Sequence, residues 1–197
     1  YICLSRLSMF AGYITINISS PNTEGLRDFH DQGELKKLLS GLNKIINEKK
    51  IECPIAIKIS PDIKDDEISK IVDLVSSHNI KGIVVSNTTD SNRDNLSDIK
   101  KHEVGGLSGQ PLKDISTNLI KRFYKETKGK ILIIGVGGVD SGQSAFEKIT
   151  AGANAVQLYT GMVYKGPGIV KEIKKDLVSI LKKENIKNIS EAVGINA

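Results

Sequence analysis

The sequence predicts an α/β fold in which helices wrap a parallel sheet, corresponding to about the last five units of a (β/α)8 TIM barrel. Short runs rich in β-branched residues alternate with longer amphipathic segments, as expected for repeated strand–helix units. Polar side chains and glycine-rich turns follow several of these runs directly. A barrel of this kind keeps its chemistry at those strand ends, so both observations favour the same architecture.

The predicted elements alternate along the whole chain. Strands are expected at 14–18, 54–59, 82–86, 131–135 and 154–158, each a short apolar run. Helices are expected near 33–49, 65–78, 114–127, 141–151 and 168–183, where apolar residues recur with helical spacing. Asp65 and Ser141 are expected N-caps, and Gly152 is an expected helix stop. Five units do not close an eight-stranded barrel, so we expect residues 1–197 to be the C-terminal portion of one larger domain.

Composition limits the function classes. Hydrophobic residues make up 39% of the 197 residues and charged residues 26%, as in ordinary globular domains. A net charge of +5 suits an anionic ligand, although the lysines of 171–183 are also explained by a solvated helix face. Only 5% of residues are aromatic and no basic–aromatic interleaving occurs, which argues against a nucleic-acid partner. Cys3, Cys53 and the three histidines match no metal-ligand spacing, so no metal is expected.

Two strands carry polar residues on one face. Alternate strand residues point to opposite sides, so Asn17 shares a face with Thr15, and Lys58 with Ala56, opposite the isoleucines. Asn17 and Lys58 are therefore expected to point toward the barrel interior. A lysine there is costly to bury without an anionic partner. Lys58 either reaches solvent from an edge strand or faces a negatively charged ligand.

The segment after the first strand contains several polar residues. Ser20 and Asn22 follow it directly, and Asn17 and Arg27 flank them. The alternatives are an ordinary turn and a serine that acts as a base when a neighbour or ordered water relays its proton. No Ser-His-Asp arrangement accompanies it, so hydrolysis is not supported. Asn87-Thr88-Thr89 likewise places polar residues directly after the third strand. These residues begin a long glycine-rich connection over 87–113, which we expect to be functional.

Glycine turns follow the last two strands. Gly135-Val136-Gly137-Gly138 follows the fourth strand, and the fifth runs into Tyr159-Thr160-Gly161. Backbone amides exposed in such turns bind phosphate, and these loops are the usual phosphate site of the barrel. No Rossmann fingerprint is present.

With these residues in hand, the chain resembles the class 2, quinone-linked dihydroorotate dehydrogenases from about residue 10 to 175. The matching stretches are 11–13, 17–27, 55–61, 86–89, 105–112, 133–141 and 159–167. The resemblance implies an FMN-binding barrel that oxidises dihydroorotate to orotate in pyrimidine biosynthesis, passing electrons to a quinone. It also implies a peripheral position on the cytoplasmic side of the cell membrane, anchored by an N-terminal segment that is not in this chain.

The resemblance assigns roles residue by residue. Ser20 falls on the catalytic base that removes the C5 proton while hydride passes to flavin N5; class 1 enzymes carry cysteine there. Asn22, Asn87 and Thr88 fall on substrate contacts, and Asn17 lies between substrate and flavin. Lys58 falls beside the flavin, where a cation stabilises the anionic reduced form. The remaining FMN positions implied are Ser86, Gly109, Gly138, Tyr159 and Thr160, the last three around the phosphate.

The expected missing part leaves alternatives open. The chain is either a portion of that enzyme, expected to be inactive alone because half the site is absent, or a non-catalytic remnant of it, or another phosphate-binding barrel enzyme. An open parallel sheet exposes apolar faces and unpaired edges. We therefore expect the isolated chain to self-associate or to need its other half.

Overall fold

The computed structural model describes residues 1–23, 25–26, 29, 32–91 and 93–197, with Gln32 described by its backbone alone. Arg27 lies outside the described residues. Five strands are present: β1 Ile14–Asn17, β2 Ile55–Lys58, β3 Gly82–Val85, β4 Leu132–Val136 and β5 Ala155–Gln157. The helices are α1 Ile2–Leu7, α2 Gln32–Lys49, α3 Asp65–Ser77, α4 Lys113–Thr127, α5 Gly142–Thr150, α6 Thr160–Lys165 and α7 Ile169–Lys183.

The sheet is parallel throughout, and the strands stand in it in chain order from β1 to β5. This confirms the predicted strand–helix repeat. β1, β2, β3 and β5 are one or two residues shorter than expected, and β4 is shifted by one residue. In a parallel sheet all strand carboxyl ends lie along one edge. The register places Asn17 of β1 directly beside Lys58 of β2 at that edge.

The core lies between the sheet and its helices. Ile57, Ile83 and Ile133 from three neighbouring strands are fully buried. They belong to one apolar cluster with side chains of α2, α3 and α4, such as Leu39 and Phe123. The isoleucine faces therefore pack outward against helices as predicted, which leaves the Asn17 and Lys58 face to the interior.

The sheet curves strongly. β1 and β5 stand at its two ends, yet Nε2 of Gln157 donates a hydrogen bond of 3.0 Å to Oη of Tyr13, which immediately precedes β1. In a flat sheet, four strand spacings would separate these ends by about 19 Å, too far for two side chains to bridge. The curvature is that of a partial barrel.

Two of the three predicted helix boundaries are confirmed. The Ser141 hydroxyl accepts a hydrogen bond from the Ser144 N–H at the start of α5, and Gly152 follows its end with φ +122°. The Asp65 N-cap prediction was wrong, because Lys64 holds that position and its N–H donates to Oε2 of Glu67 at 2.6 Å. Asp65 instead begins the helix, where an acidic side chain complements the macrodipole.

Within the described ranges, no helix is both long enough and apolar enough to cross a membrane.

Candidate active site at the carboxyl ends of the strands

A cavity of about 610 Å³ lies where β2 to β5 end. It gathers segments far apart in the chain: the end of β2, the residues after β3, the end of the long connection, and the two glycine turns. Eight predicted site residues line it: Lys58, Ser86, Asn87, Thr88, Gly109, Gly138, Tyr159 and Thr160.

Lys58 is the cationic group at the inner end of this cavity. It is the last residue of β2, and its side chain is half-buried. Among the described residues no carboxylate pairs with it, and burial lowers the pKa of Lys58 below its usual value. A partly desolvated ammonium without a counter-charge is stabilised by an anionic ligand. The structure thus favours the ligand-facing alternative over the solvent-reaching one.

Asn87 joins the third strand end to the first. Its Nδ2 donates to Oδ1 of Asn17 at 3.2 Å and to Oγ of Ser19 at 3.0 Å, while the Ser19 hydroxyl donates to Asn17 at 3.1 Å. The Asn87 Oδ1 accepts from the Thr88 N–H at 2.8 Å. Asn17 does not line the cavity itself, but this network attaches it to a residue that does.

Thr89, the third member of the Asn-Thr-Thr triplet, has a structural role. It is fully buried, and its hydroxyl donates to Oδ1 of Asp62 at 2.5 Å. Its backbone forms an antiparallel bridge with Leu107. The bridge closes the long connection into a loop, so that its last residues return to the cavity.

Arg93 fills the inside of that loop. Its guanidinium donates to the carbonyls of Lys101, at 3.2 Å, and of Glu103 and Gly105. Three carbonyls held by one planar group fix the loop path. The path of the long connection after β3 is therefore held by hydrogen bonds from one of its own side chains.

Ser20 and Asn22 do not line the main cavity. Ser20 is half-buried, and its Oγ accepts a hydrogen bond of 3.3 Å from the Asn22 N–H. Asn22 lies instead on a neighbouring depression shared with Arg93. Gly106 connects the two places, since a Cβ there would lie 1.9 Å from Oγ1 of Thr88 and 3.2 Å from Cγ of Pro21.

Ser20 has no general base beside it in the described part of the chain. A hydroxyl in that position can pass a proton only to a ligand or to water. Ser20 is half-buried and lies one residue from the Pro21–Gly106–Thr88 contact, through which it adjoins the wall of the cavity.

The first glycine turn requires glycine. Gly138 has φ +69°, and a Cβ there would lie 2.4 Å from Cβ of Lys113. Within the described residues, the N–H groups of Gly137 and Gly138 have no hydrogen-bond partner. Both residues line the cavity. Free amides in a glycine turn suit an anion such as phosphate.

The second turn stands against the end of the long loop. Oγ1 of Thr160 lies 2.8 Å from Oγ of Ser108, and a Cβ on Gly109 would lie 3.0 Å from Cγ2 of Thr160. Gly109 has φ +79°, so both space and backbone favour glycine. Tyr159 is 80% exposed and forms the outer wall of the cavity.

Three polar residues near the site were assigned no role from the sequence. Ser19 links Asn17 to Asn87, Ser108 contacts Thr160, and Lys148 lies fully buried behind the first glycine turn. Strand alternation already puts Ser19 on the face of Asn17, so its position, although not its hydrogen bonds, follows from the sequence. Lys148 resembles the surface lysines of other helices in sequence, and only packing distinguishes it.

Metal binding has no support in the described ranges, where no group of three or more His, Cys, Asp or Glu side chains could hold an ion.

Comparison with known proteins connects this geometry to one family. A family model described as dihydroorotate dehydrogenase matches residues 1–181. A protein named dihydroorotate dehydrogenase (quinone) from Trichodesmium erythraeum is 44% identical over 191 residues, covering 93% of this chain and 50% of that protein. The mitochondrial protein of that name from Mus musculus is 40% identical over 195 residues, covering 96% of this chain and 49% of its own length.

Solved structures agree. The ligand-free DHODH from Eimeria tenella superimposes with a TM-score of 0.94 at 34% identity, covering 99% of this chain and 58% of that chain. The same protein in complex with ferulenol gives a TM-score of 0.93 at 35% identity, covering 98% of this chain and 56% of that chain. The chain thus spans about half the length of the relatives it matches.

Proposed function

Since the chain belongs to the dihydroorotate dehydrogenase family, we propose that its cavity takes part in the FMN-dependent oxidation of dihydroorotate to orotate, with a quinone as electron acceptor. The observation that carries the proposal is the half-buried Lys58, unpaired within the described residues, in one cavity with a glycine turn whose amides are free. A ligand with an anionic ring system and a phosphate satisfies both groups.

The residues present fit FMN. The free amides of Gly137 and Gly138 suit its phosphate, and the positive φ of Gly138 and Gly109 favours glycine where these residues line the cavity. The residues that would hold it are Lys58 and Ser86 at the ring end and Gly138, Tyr159 and Thr160 at the phosphate end, with Gly109 between. FMN supplies the two-electron redox chemistry when bound, and the protein supplies orientation and electrostatics.

Dihydroorotate would contact Asn22, Asn87 and Thr88. Amide and hydroxyl groups offer both donors and acceptors, which a neutral polar heterocycle needs. Asn17 and Ser19 hold the Asn87 amide in one orientation through two hydrogen bonds. Orientation of this kind lowers the entropic part of the barrier.

Ser20 would take the proton from C5 of the substrate at its Oγ. The hydroxyl is half-buried and already accepts a bond from the Asn22 N–H, which fixes its position. A serine removes a proton only if it passes its own proton onward. Because Ser20 is only half-buried, that proton can reach water.

Use of a quinone implies a membrane surface, where quinones dissolve. We therefore also propose a peripheral membrane location for the working enzyme. We propose, further, that residues 1–197 form the C-terminal portion of a single barrel domain, consistent with the curved, parallel five-stranded sheet.

An anaerobic visible spectrum of the purified chain with FMN, before and after dihydroorotate, tests the proposal. The chain is measured alone and with the N-terminal half of the Trichodesmium erythraeum relative added. Bound flavin that bleaches with dihydroorotate in either arm supports the proposal. Failure to bind flavin in both arms contradicts it, and bound flavin that never bleaches indicates a non-catalytic remnant.

A further inference from the structure

Lys148 of α5 is fully buried, yet no carboxylate bonds to its ammonium within the described residues. Its Nζ donates to Oγ1 of Thr117 at 3.0 Å, to the carbonyl of Lys113 at 3.3 Å, and to Oγ of Ser116. All three acceptors belong to the first turn of α4. Burying an ammonium is costly, so such a residue needs a reason beyond packing.

The acceptors of Lys148 lead to the glycine turn. Ser116 is also fully buried, and its Oγ lies 3.3 Å from the carbonyl of Gly137 and 3.3 Å from that of Lys113. A hydroxyl has one proton to donate. Because Lys148 already satisfies the Lys113 carbonyl, the Ser116 proton is free for Gly137.

The stem of Lys148 packs behind the same turn. A Cβ on Gly135, at the end of β4, would lie 3.3 Å from Cδ of Lys148. Lys113 also contacts the turn, through the close approach of its Cβ to Gly138. The turn is thus supported from behind by one buried cation and the serine it holds.

We propose that Lys148 is a positioning residue for the phosphate-binding turn, acting through Ser116 on the carbonyl of Gly137. By holding that carbonyl away from the ligand, it keeps the Gly137 and Gly138 N–H groups available to an anion. The identity of the anion as the FMN phosphate rests on the function proposed above. The effect on the turn does not.

Comparing FMN with riboflavin isolates the phosphate, because riboflavin lacks it. We expect Lys148→Met to lower the ratio of FMN to riboflavin affinity by about tenfold. This is the low end of the loss in affinity or activity when an outer-shell partner of a metal ligand is removed. Riboflavin affinity should stay unchanged. Lys174→Met, an exposed lysine of α7, is the matched control and should leave the ratio unaltered. An unchanged ratio in Lys148→Met, or equal losses for both flavins, overturns the proposal.

Ser116→Ala provides a second variant that keeps the buried cation bonded to Thr117 and Lys113. It removes the Ser116 hydroxyl, and with it both the contact to Gly137 and one of the three acceptors of Lys148, and should lower the ratio in the same direction. If Lys148→Met does not fold, this variant decides the matter. A wild-type ratio of FMN to riboflavin affinity in Ser116→Ala overturns the proposal that Lys148 acts through Ser116 on Gly137.

Binding of inorganic phosphate to the flavin-free chain separates this inference from the proposed function. Titration followed by the amide chemical shifts of Gly137 and Gly138 should show phosphate binding about tenfold more weakly in Lys148→Met or Ser116→Ala than in the wild-type chain. Equal phosphate affinity in wild type and variants, or a wild-type chain whose glycine amides do not respond to phosphate, overturns the positioning role. Weaker phosphate binding by the variants of a chain that binds no flavin supports that role and counts against the flavin function alone.

Discussion

Nδ2 of Asn87 lies 3.2 Å from Oδ1 of Asn17, although the two residues are 70 positions apart in the chain. The contact crosses β2, which lies between their strands in the sheet. The contact joins Asn87, which lines the cavity, to Asn17, which does not. The two amides therefore hold the ends of β1 and β3 in a fixed relation to each other.

Asn87→Ala should destabilise the chain and weaken substrate binding together. Ser19 is fully buried, and without Asn87 its hydroxyl keeps the bond that it donates to Asn17 but loses the bond that it accepts, at a cost of about 1 kcal/mol. Urea unfolding measures that loss, and the perturbation of the bound-flavin spectrum by orotate measures affinity. Asn118→Ala, at an exposed position of α4, is the control. Unchanged stability in Asn87→Ala would show that the network holds nothing in place.

Ser20→Ala should slow flavin reduction by dihydroorotate by about 10²-fold or more while leaving FMN affinity unchanged, because a general base contributes that much. Stopped-flow bleaching of the complemented protein measures the rate. Ser20 does not line the cavity that we propose for FMN, which is why FMN binding should be spared. Ser179→Ala, on an exposed face of α7, controls for loss of a hydroxyl. A normal reduction rate would remove Ser20 as the base.

The sequence was most informative where strand periodicity and strand ends coincide. Alternation in β1 and β2 predicted that Asn17 and Lys58 share the interior face, and the parallel register then brings the two residues side by side. The same reasoning grouped Lys58 with the residues after β3 and with both glycine turns. The end of a strand depends on a few neighbouring residues, so it can be predicted from a single sequence.

Long-range packing was not readable in the same way. The Lys148 side chain is buried because α5 packs beside the start of α4, a relation that depends on the whole sheet. Thr89 was grouped with Asn87 and Thr88, but its partner Asp62 is 27 positions away. Side chains of identical chemistry differ in role only through such contacts.

Lys58→Met should weaken FMN binding by about 2 kcal/mol, the size of a lost charge-assisted hydrogen bond. Burial lowers the pKa of Lys58, so its charge is lost at lower pH than for an exposed lysine. FMN affinity should therefore fall as pH rises through this lowered pKa, and the fall should be absent from Lys58→Met. Fluorescence titration of FMN across alkaline pH measures both effects.

Lys81→Met is the matched control, since Lys81 is exposed immediately before β3. Its pH profile should follow that of the wild-type chain. A Lys58→Met profile identical to wild type would return Lys58 to a structural role.

The isolated chain should self-associate at micromolar concentrations. Among the described strands, β1 and β5 each have a neighbour on one side only, and Val163 and Tyr164 near β5 are 68% and 85% exposed. Unpaired strand edges and exposed apolar side chains favour association between chains. Sedimentation velocity over a concentration series measures it, and adding the N-terminal half of a relative should suppress it. A chain that stays monomeric throughout the series would contradict this expectation.

Burial of Lys148 should give the chain a stability that rises with alkaline pH. Burial lowers the pKa of Lys148 to about 8, whereas the unfolded chain has the ordinary value of 10.5. Between these values the unfolded state binds more protons, so raising the pH favours the folded state. Relative to Lys148→Met, the free energy of unfolding should be flat below pH 8 and rise by about 3 kcal/mol toward pH 10.5.

The neighbouring Lys113 ammonium donates to Oε2 of Glu147 at 2.8 Å, and this pairing raises the pKa of Lys113 above its usual value of 10.5, so Lys113 stays charged while Lys148 loses its proton. Urea unfolding at several pH values, with Lys174→Met as control, measures the difference. Lys174→Met should run parallel to wild type, because the Lys174 side chain is exposed and is not desolvated on folding. A constant difference between wild type and Lys148→Met would mean that Lys148 stays charged in its site, since only a proton released on folding links stability to pH.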